Sequence, residues 1–247
     1  MNRRSVLKTG EKIILIGENK ERCSFIINSC IGFGGNAVVY EVCYGKNELG
    51  RLKEFYPTFS KLYRDEDGNL IVDESIKKKF NHNKKIFEQI LKKRTVLRKL
   101  NVNILATMPE FCQLLRGKNT SYIFQSYTNG QCYSNVYGET IEDIFRTAIG
   151  LVNAVKCYHD IGYVHLDLKP ENMLISKQEN TNIRVQLFDY ETATSIHDLK
   201  NGKINYLPYT KEYSSPEQIK GEFSKIDISS DIFSIGIILF YKIKCSR

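Results

Sequence analysis

The pattern of apolar and polar positions divides the chain into two parts of different character. Residues 25–27, 31–40, 41–44 and 51–55 are rich in β-branched and aromatic side chains, and predict strands folded around glycine-containing turns. Pro57 ends this series, and the polar run 63–69 reads as a turn, which makes 57–74 a surface insertion. The period then changes. Ile76, Phe80, Ile86, Phe87, Ile90, Leu91, Leu97 and Leu100 fit one buried stripe and predict a single long helix over 75–99. Two more strands are expected over 110–115 and 121–127.

Residues 140–159 show helical spacing again, with Thr140 and Asp143 placed to cap the start. Short apolar segments follow at 163–167, 173–175 and 185–188. A last apolar helix is expected over 232–241, capped by Ser229 or Ser230. There is no internal repeat. A β-rich part with one helix, followed by a helical part, predicts two lobes with a cleft near 125–130.

Composition narrows the class. At 247 residues and 42% hydrophobic content, the chain suits one domain or two lobes and is too apolar for a disordered one. The net charge of +8 raises the question of a nucleic-acid partner. Much of it lies over 77–99 on the wet face of the expected helix, so no nucleic acid is expected. Seven cysteines without a C-x-x-C pair indicate a reducing compartment. The apolar stretch 13–16 is too short for a secretory signal, and the run 232–240 falls well below the ~20 residues of a membrane helix. A cytoplasmic chain without a membrane span is expected. Its oligomeric state is not legible.

The densest chemistry is His165-Leu-Asp167-Leu-Lys169-Pro-Glu-Asn172. An aspartate can accept a hydroxyl proton, a lysine two residues on can neutralise a transferring phosphate, and an asparagine amide oxygen can ligate a hard cation. Taken alone, the same residues also suit a charged loop before a helix. Gly32, Gly34 and Gly35 lie between strands, with Val39 beyond them and Lys53 on the next strand. Glycines let backbone N–H groups approach phosphates, though glycines in a hairpin are more often just a turn. Asp189 ends an apolar strand and, paired with Asn172, offers two oxygen ligands from adjacent segments.

In this order and spacing the set resembles the eukaryotic-type protein kinase family over about 26–241, most closely in HLDLKPENML at 165–174. The resemblance implies an α+β bilobal fold. A β-rich N-lobe with one long helix covers 1–125, a hinge 126–130, and a mainly helical, incomplete C-lobe 131–247. It implies ATP and Mg²⁺, and a protein substrate with a Ser or Thr hydroxyl. By resemblance Asp167 is the base, Lys169 its companion on the γ-phosphate, and Asn172 and Asp189 are the magnesium ligands. Lys53 meets the α- and β-phosphates under the loop of Gly32, Gly34 and Gly35. Ser126 and Thr128 are hinge positions, with Gln125 as gatekeeper, and Val39 and Leu174 sandwich adenine. Thr210 and the Ser-Pro-Glu ending at Glu217 resemble the end of the activation segment, and Asp231 the start of the helix that follows it.

Several positions depart from the family. Ala37 replaces a third glycine, Leu166 the arginine that reads an activation-loop phosphate, and Asp189-Tyr-Glu191 the usual D-F-G. Arg51 stands where a small residue is usual, and a local strand shift is the expected reason. For the helix glutamate that pairs with Lys53, the expected position falls near Lys92 or Lys93; Glu88, one turn away on the same face, either serves in its place or merely pairs with Lys92 on the surface. The pattern stops soon after the last helix begins, so Ile232, Phe233 and Phe240 are expected to lose part of their cover. Two rival readings remain: a pseudokinase or remnant acting as a binding module, and a small-molecule phosphotransferase, against which the Lys-Pro-Glu and Ser-Pro-Glu segments count.

Overall fold

A computed structural model describes residues 4–126, 130–177, 182–204, 206–207 and 209–245, apart from the side chain of Leu105. The chain divides into two compact units, Met1–Lys92 with Glu110–Thr128, and Lys93–Pro109 with Asn129–Arg247. The division falls inside a helix.

The first unit is built on β1 (Lys12–Gly17), β2 (Arg22–Phe33), β3 (Ala37–Tyr44), β4 (Glu48–Phe55), a hairpin of β5 (Leu62–Arg64) and β6 (Leu70–Val72), then helices α1 (Lys77–Glu88) and α2 (Ile90–Leu100), and strands β7 (Cys112–Gly117) and β8 (Thr120–Ser126). Six strands close a barrel in the order β1-β2-β3-β4-β8-β7. Strand β1 is an addition to the sequence reading. It pairs with β2 along its length and with β7 at Ile16 and Gly17. Ile13 and Leu15 point into the barrel while Ile14 and Ile16 face out. Four consecutive apolar residues show no polar alternation, so the period-two signal is hidden. Gly117 permits the closure, because a Cβ there would lie 2.6 Å from Leu15 Cδ2.

The helix expected over 75–99 is two helices. Gln89 turns the backbone at φ −80°, ψ −5°, and its N–H bonds back to the Ile86 and Phe87 carbonyls. The apolar period runs through Gln89 unbroken, so the sequence carries no sign of the turn. Phe80 and Phe87 of α1 pack their rings on Phe55, at 5.2 and 5.4 Å between centroids. The strand shift expected at Arg51 is absent. The β3–β4 ladder is continuous from Ala37↔Phe55 to Tyr44↔Glu48, and Arg51 sits in register between Glu41 and Gln125.

The 57–74 segment is more than a polar loop. Leu62 and Leu70 are buried, and Arg64 reaches the barrel, where its Nη2 donates to the buried Glu54 carboxylate at 2.6 Å. Glu54 also accepts the hydroxyls of Tyr40 at 3.0 Å and Tyr122 at 2.7 Å. A buried ion pair offsets its desolvation only when its other lone pairs find donors, and here they do. Burial, with Glu54 beside them, holds both tyrosine hydroxyls well above their usual pKa and hence protonated, as donors must be.

The second unit contains β9 (Gln131–Cys132), α3 (Ile141–His159), β10 (Tyr163–Val164), β11 (Met173–Lys177), β12 (Ile183–Leu187), β13 (Thr194–Ser195), α4 (Ile196–Lys200), α5 (Pro216–Lys220) and α6 (Ile228–Cys245). Thr140 caps α3 by accepting the Asp143 N–H, as expected. Helix α3 buries Ile144, Leu151 and Val155, and Gly150 lets it approach the Ile183 carbonyl, which a Cβ would meet at 2.4 Å. Strands β11 and β12 pair from Met173↔Leu187 to Lys177↔Ile183, and β10 pairs with β13.

The last helix starts earlier than expected. Asp227, not Ser229 or Ser230, accepts at its head, from the Ser229 N–H at 2.8 Å. Ser230 is buried and bonds Glu217. Ile235 and Ile238 are buried, whereas Ile232 (51%) and Phe240 (60%) are exposed. At its far end Lys242 donates to the Tyr133 and Val136 carbonyls at 2.8 and 2.7 Å and pairs with Glu139. Among the described residues no helix is long and apolar enough to cross a membrane.

Candidate active site

In the second unit the loop 165–172 joins β10 to β11, and its start is fixed from α6. The Asp231 carboxylate, fully buried, accepts the His165 N–H at 2.8 Å, the Leu166 N–H at 2.9 Å and His159 Nε2 at 2.9 Å. These bonds hold Leu166 at φ +66°, a left-handed conformation that costs a branched residue on the order of 1–2 kcal/mol. His165 is buried, and burial pushes its imidazole below the usual pKa, so it is neutral at pH 7.

Asp167 is then presented by three side chains. Lys169 Nζ reaches its two carboxylate oxygens at 2.9 and 3.0 Å. Thr210 Oγ1 donates to Oδ1 at 3.0 Å and also accepts from Lys169 Nζ at 3.0 Å. Asn172 Nδ2 donates to Oδ2 at 2.8 Å and to the Asp167 carbonyl at 3.0 Å. Pro170 opens the short turn that swings Asn172 back onto Asp167. Asp189 follows β12, with φ +56° and ψ +34°. The Phe188 N–H bonds the Asn172 carbonyl at 2.8 Å, which brings the segments bearing Asn172 and Asp189 side by side. Thr192 Oγ1 lies within hydrogen-bond distance of the His165 and Asp189 carbonyls, at 2.8 and 2.7 Å, tying the two segments again. Thr192 and Gln218, which donates to the Leu166 carbonyl at 2.7 Å, belong to no motif, so the sequence alone does not reveal them.

Where the family has an arginine, Leu166 is buried with Val164, Leu199, Leu207 and Ile226 in an apolar cluster. The segment after Asp189 is therefore held to the loop by apolar contact.

In the first unit Gly32, Val39, Lys53 and Ile123 lie opposite one another across four strands. Val39 and Lys53 are half-buried on the outer face, while Val38, Tyr40, Leu52 and Glu54 fill the interior. Gly34 and Gly35 lie at the turn between β2 and β3. Glu88 is placed elsewhere: it accepts the Ser121 hydroxyl at 2.6 Å and pairs with Arg116 at 3.4 Å. Ser121 and Arg116 face each other across β7 and β8, two residues along β8 from Ile123, which is opposite Lys53. Burial opposes the Glu88 charge, but these two donors outweigh it and hold its pKa below the usual carboxylate value. Ser126 is buried, with its N–H on the Phe111 carbonyl at 3.0 Å and its hydroxyl accepting the Phe111 N–H at 3.1 Å. Gln125 is buried in β8. Leu174, in the second unit, is buried in β11 between Cys132 and Gln186. Thr128 lies outside the described residues.

A loop that aims an aspartate with a lysine, a threonine and an asparagine, beside a second aspartate at a strand end, has the chemistry that phosphoryl transfer calls for. The chain belongs to the protein kinase domain family, whose pattern matches residues 55–245. The match begins after Lys53 and the glycine-rich turn. A probable serine/threonine-protein kinase of Clostridium perfringens is 26% identical over 85% of this chain, and PknB of Mycolicibacterium smegmatis is 30% identical over 48% of it. The chain spans 27% and 19% of their lengths. Among solved structures, the apo form of PpkA-294 superposes with a TM-score of 0.57 at 22% identity, covering 98% of this chain and 79% of that one. Vaccinia related kinase 3 gives 0.56 at 16% identity, covering 97% and 69%. These two show the same fold.

Proposed function

We propose that the chain is a protein kinase that transfers the γ-phosphate of ATP to Ser or Thr hydroxyls with Mg²⁺. The observation that carries this reading is Asp167, whose carboxylate is aimed by Lys169, Thr210 and Asn172. In this role Asp167 orients the acceptor hydroxyl and takes its proton. Lys169 neutralises charge on the phosphate being transferred, and Lys53 holds the α- and β-phosphates under the turn of Gly32, Gly34 and Gly35. Val39 and Leu174 are assigned to the faces of the base, and Ser126 and Thr128 to its edge.

The donor set fits a small hard cation. Asn172 and Asp189 offer amide and carboxylate oxygens from adjacent segments. Among the described residues there is no cluster of three or more His, Cys, Asp or Glu suited to a metal. Mg²⁺ needs none, since it binds through one or two such groups together with substrate phosphates. When bound, it neutralises charge on the phosphate oxygens.

Lysine at 169 and threonine at 210 are the residues that serine/threonine kinases use at these places. The N-lobe is assigned to 1–125, the hinge to 126–130 and the C-lobe to 131–247, in the cytoplasm. Incubation with labelled ATP, Mg²⁺ and a basic acceptor protein tests the reading. Transfer to Ser or Thr that disappears in Asp167→Asn is expected, and full transfer by that variant refutes the assignment of the base. One observation favours a second reading, a weakly catalytic pseudokinase: Glu88 is engaged by Ser121 and Arg116. Binding of ATP and Mg²⁺ without transfer distinguishes it.

A further inference from the structure

The turn between β2 and β3 is fastened to the first unit by more than its own strands. Four consecutive carbonyls of the turn each meet a donor. Gly34 O accepts Arg4 Nη2 at 2.8 Å, and Gly35 O accepts the Thr58 N–H at 3.2 Å. Asn36 O accepts the Tyr56 N–H at 3.1 Å, and Ala37 O accepts both the Gly34 N–H at 2.8 Å and Arg4 Nη1 at 3.2 Å. Arg4 Nη1 also donates to Tyr56 O at 2.5 Å, and the guanidinium lies 5.4 Å from the centre of the Phe33 ring. One planar side chain thus bridges the turn to the end of β4, a geometry that the fixed fork of arginine suits and the single ammonium of lysine does not.

The consequence for anion binding follows from the peptide bond. In a trans peptide the carbonyl of one residue and the N–H of the next point in opposite directions, and the described residues contain no cis bond. Fastening the Gly34 and Gly35 carbonyls on the side of Arg4 and Thr58 commits the Gly35 and Asn36 N–H groups to the opposite side. On the nucleotide-binding reading, those are the groups left open to a phosphate.

Arg4 is itself held in place. Arg64 Nε of the inserted hairpin donates to the Ser5 carbonyl at 3.0 Å while its Nη1 holds Gly68 O at 2.6 Å and its Nη2 the buried Glu54. The Leu7 N–H bonds the Tyr40 hydroxyl at 3.3 Å, and that hydroxyl bonds Glu54. The segment 4–7 is therefore fixed to the same buried carboxylate through two routes.

We propose that Arg4 is a positioning residue for the glycine-rich turn, and that the Leu62–Val72 hairpin, through Arg64, is the brace that keeps Arg4 there. The inference rests on the nucleotide-binding reading above, in that a preset turn favours phosphate binding, but the brace can be tested without nucleotide. Amide hydrogen exchange on Arg4→Ala is expected to show lost protection at the Gly34, Tyr56 and Thr58 amides, whose acceptors are the Ala37, Asn36 and Gly35 carbonyls of the turn, with unchanged protection in α3 and α6. Unchanged exchange at those three amides overturns the positioning role of Arg4 whatever the protein binds. With ATP and Mg²⁺, calorimetry on the same variant is expected to show a Kd raised about tenfold, the scale of hydrogen bonds to a charged group, and a KM for ATP raised more than kcat is lowered. Arg4→Lys is expected to recover only part of this. A variant that binds as tightly as the parent overturns the inference. A parent that does not bind nucleotide refutes the kinase reading instead, and the exchange result then decides the positioning role of Arg4 alone.

Discussion

Thr210 donates its hydroxyl to the Asp167 carboxylate at 3.0 Å across 43 residues of chain, and the same oxygen accepts from Lys169. Three groups close a ring in which each fixes the other two. Removing the threonine leaves Lys169 as the partner of Asp167 on that side, free to rotate about four methylenes.

Thr210→Val keeps the branched shape and deletes the hydroxyl. A hydrogen bond to a charged group contributes about 1.5–3 kcal/mol, so kcat is expected to fall between about tenfold and a hundredfold with little change in KM for ATP. Thr210→Ser, which restores the hydroxyl, is expected to recover most of the rate. Steady-state kinetics on the two variants checks this, and equal losses in both would show that shape, not the bond, matters.

Which parts of this were legible in the sequence follows from distance along the chain. Asp167, Lys169 and Asn172 lie within six positions, so one loop carries their geometry in its spelling. Asp189 was legible because an apolar strand ends at it. Glu88 was not: its partners Ser121 and Arg116 come together only when β7 and β8 pair, and a helix stripe that runs through Gln89 hides the turn that sets its position. Strand β1 escaped because Ile14 and Ile16 are apolar on the wet face. Arg4 looks like one more basic residue until the carbonyls of the turn are seen around it, since a backbone acceptor leaves no mark in composition.

Leu166 carries a second expectation. It is buried with Leu199, Leu207 and Ile226 where a phosphate-reading arginine is usual. Truncating a buried leucine costs about 2–5 kcal/mol, so Leu166→Ala is expected to lose that much in urea unfolding. If that cluster suffices to hold the segment, phosphatase treatment leaves the transfer rate of the parent within about twofold. A rate that collapses after phosphatase would mean that the apolar cluster does not suffice.

The same loop ties stability to pH through His165. Its folded-state pKa is pushed down by burial, while the unfolded chain carries an ordinary imidazole near 6.5. Below that value the unfolded state binds a proton that the folded state refuses, so the unfolded state gains as pH falls. Stability is therefore full above about pH 7 and declines below about 6.5, with a slope of at most about 1.4 kcal/mol per pH unit for one proton. Asp231 works against this by favouring the charged ring, though its carboxylate is already engaged by two backbone N–H groups and His159. Thermal unfolding between pH 5.5 and 7.5 is expected to show the decline in the parent and a flatter curve in His165→Phe, even though that variant starts from a lower melting temperature. Parallel curves for the two proteins would place the proton uptake on another group.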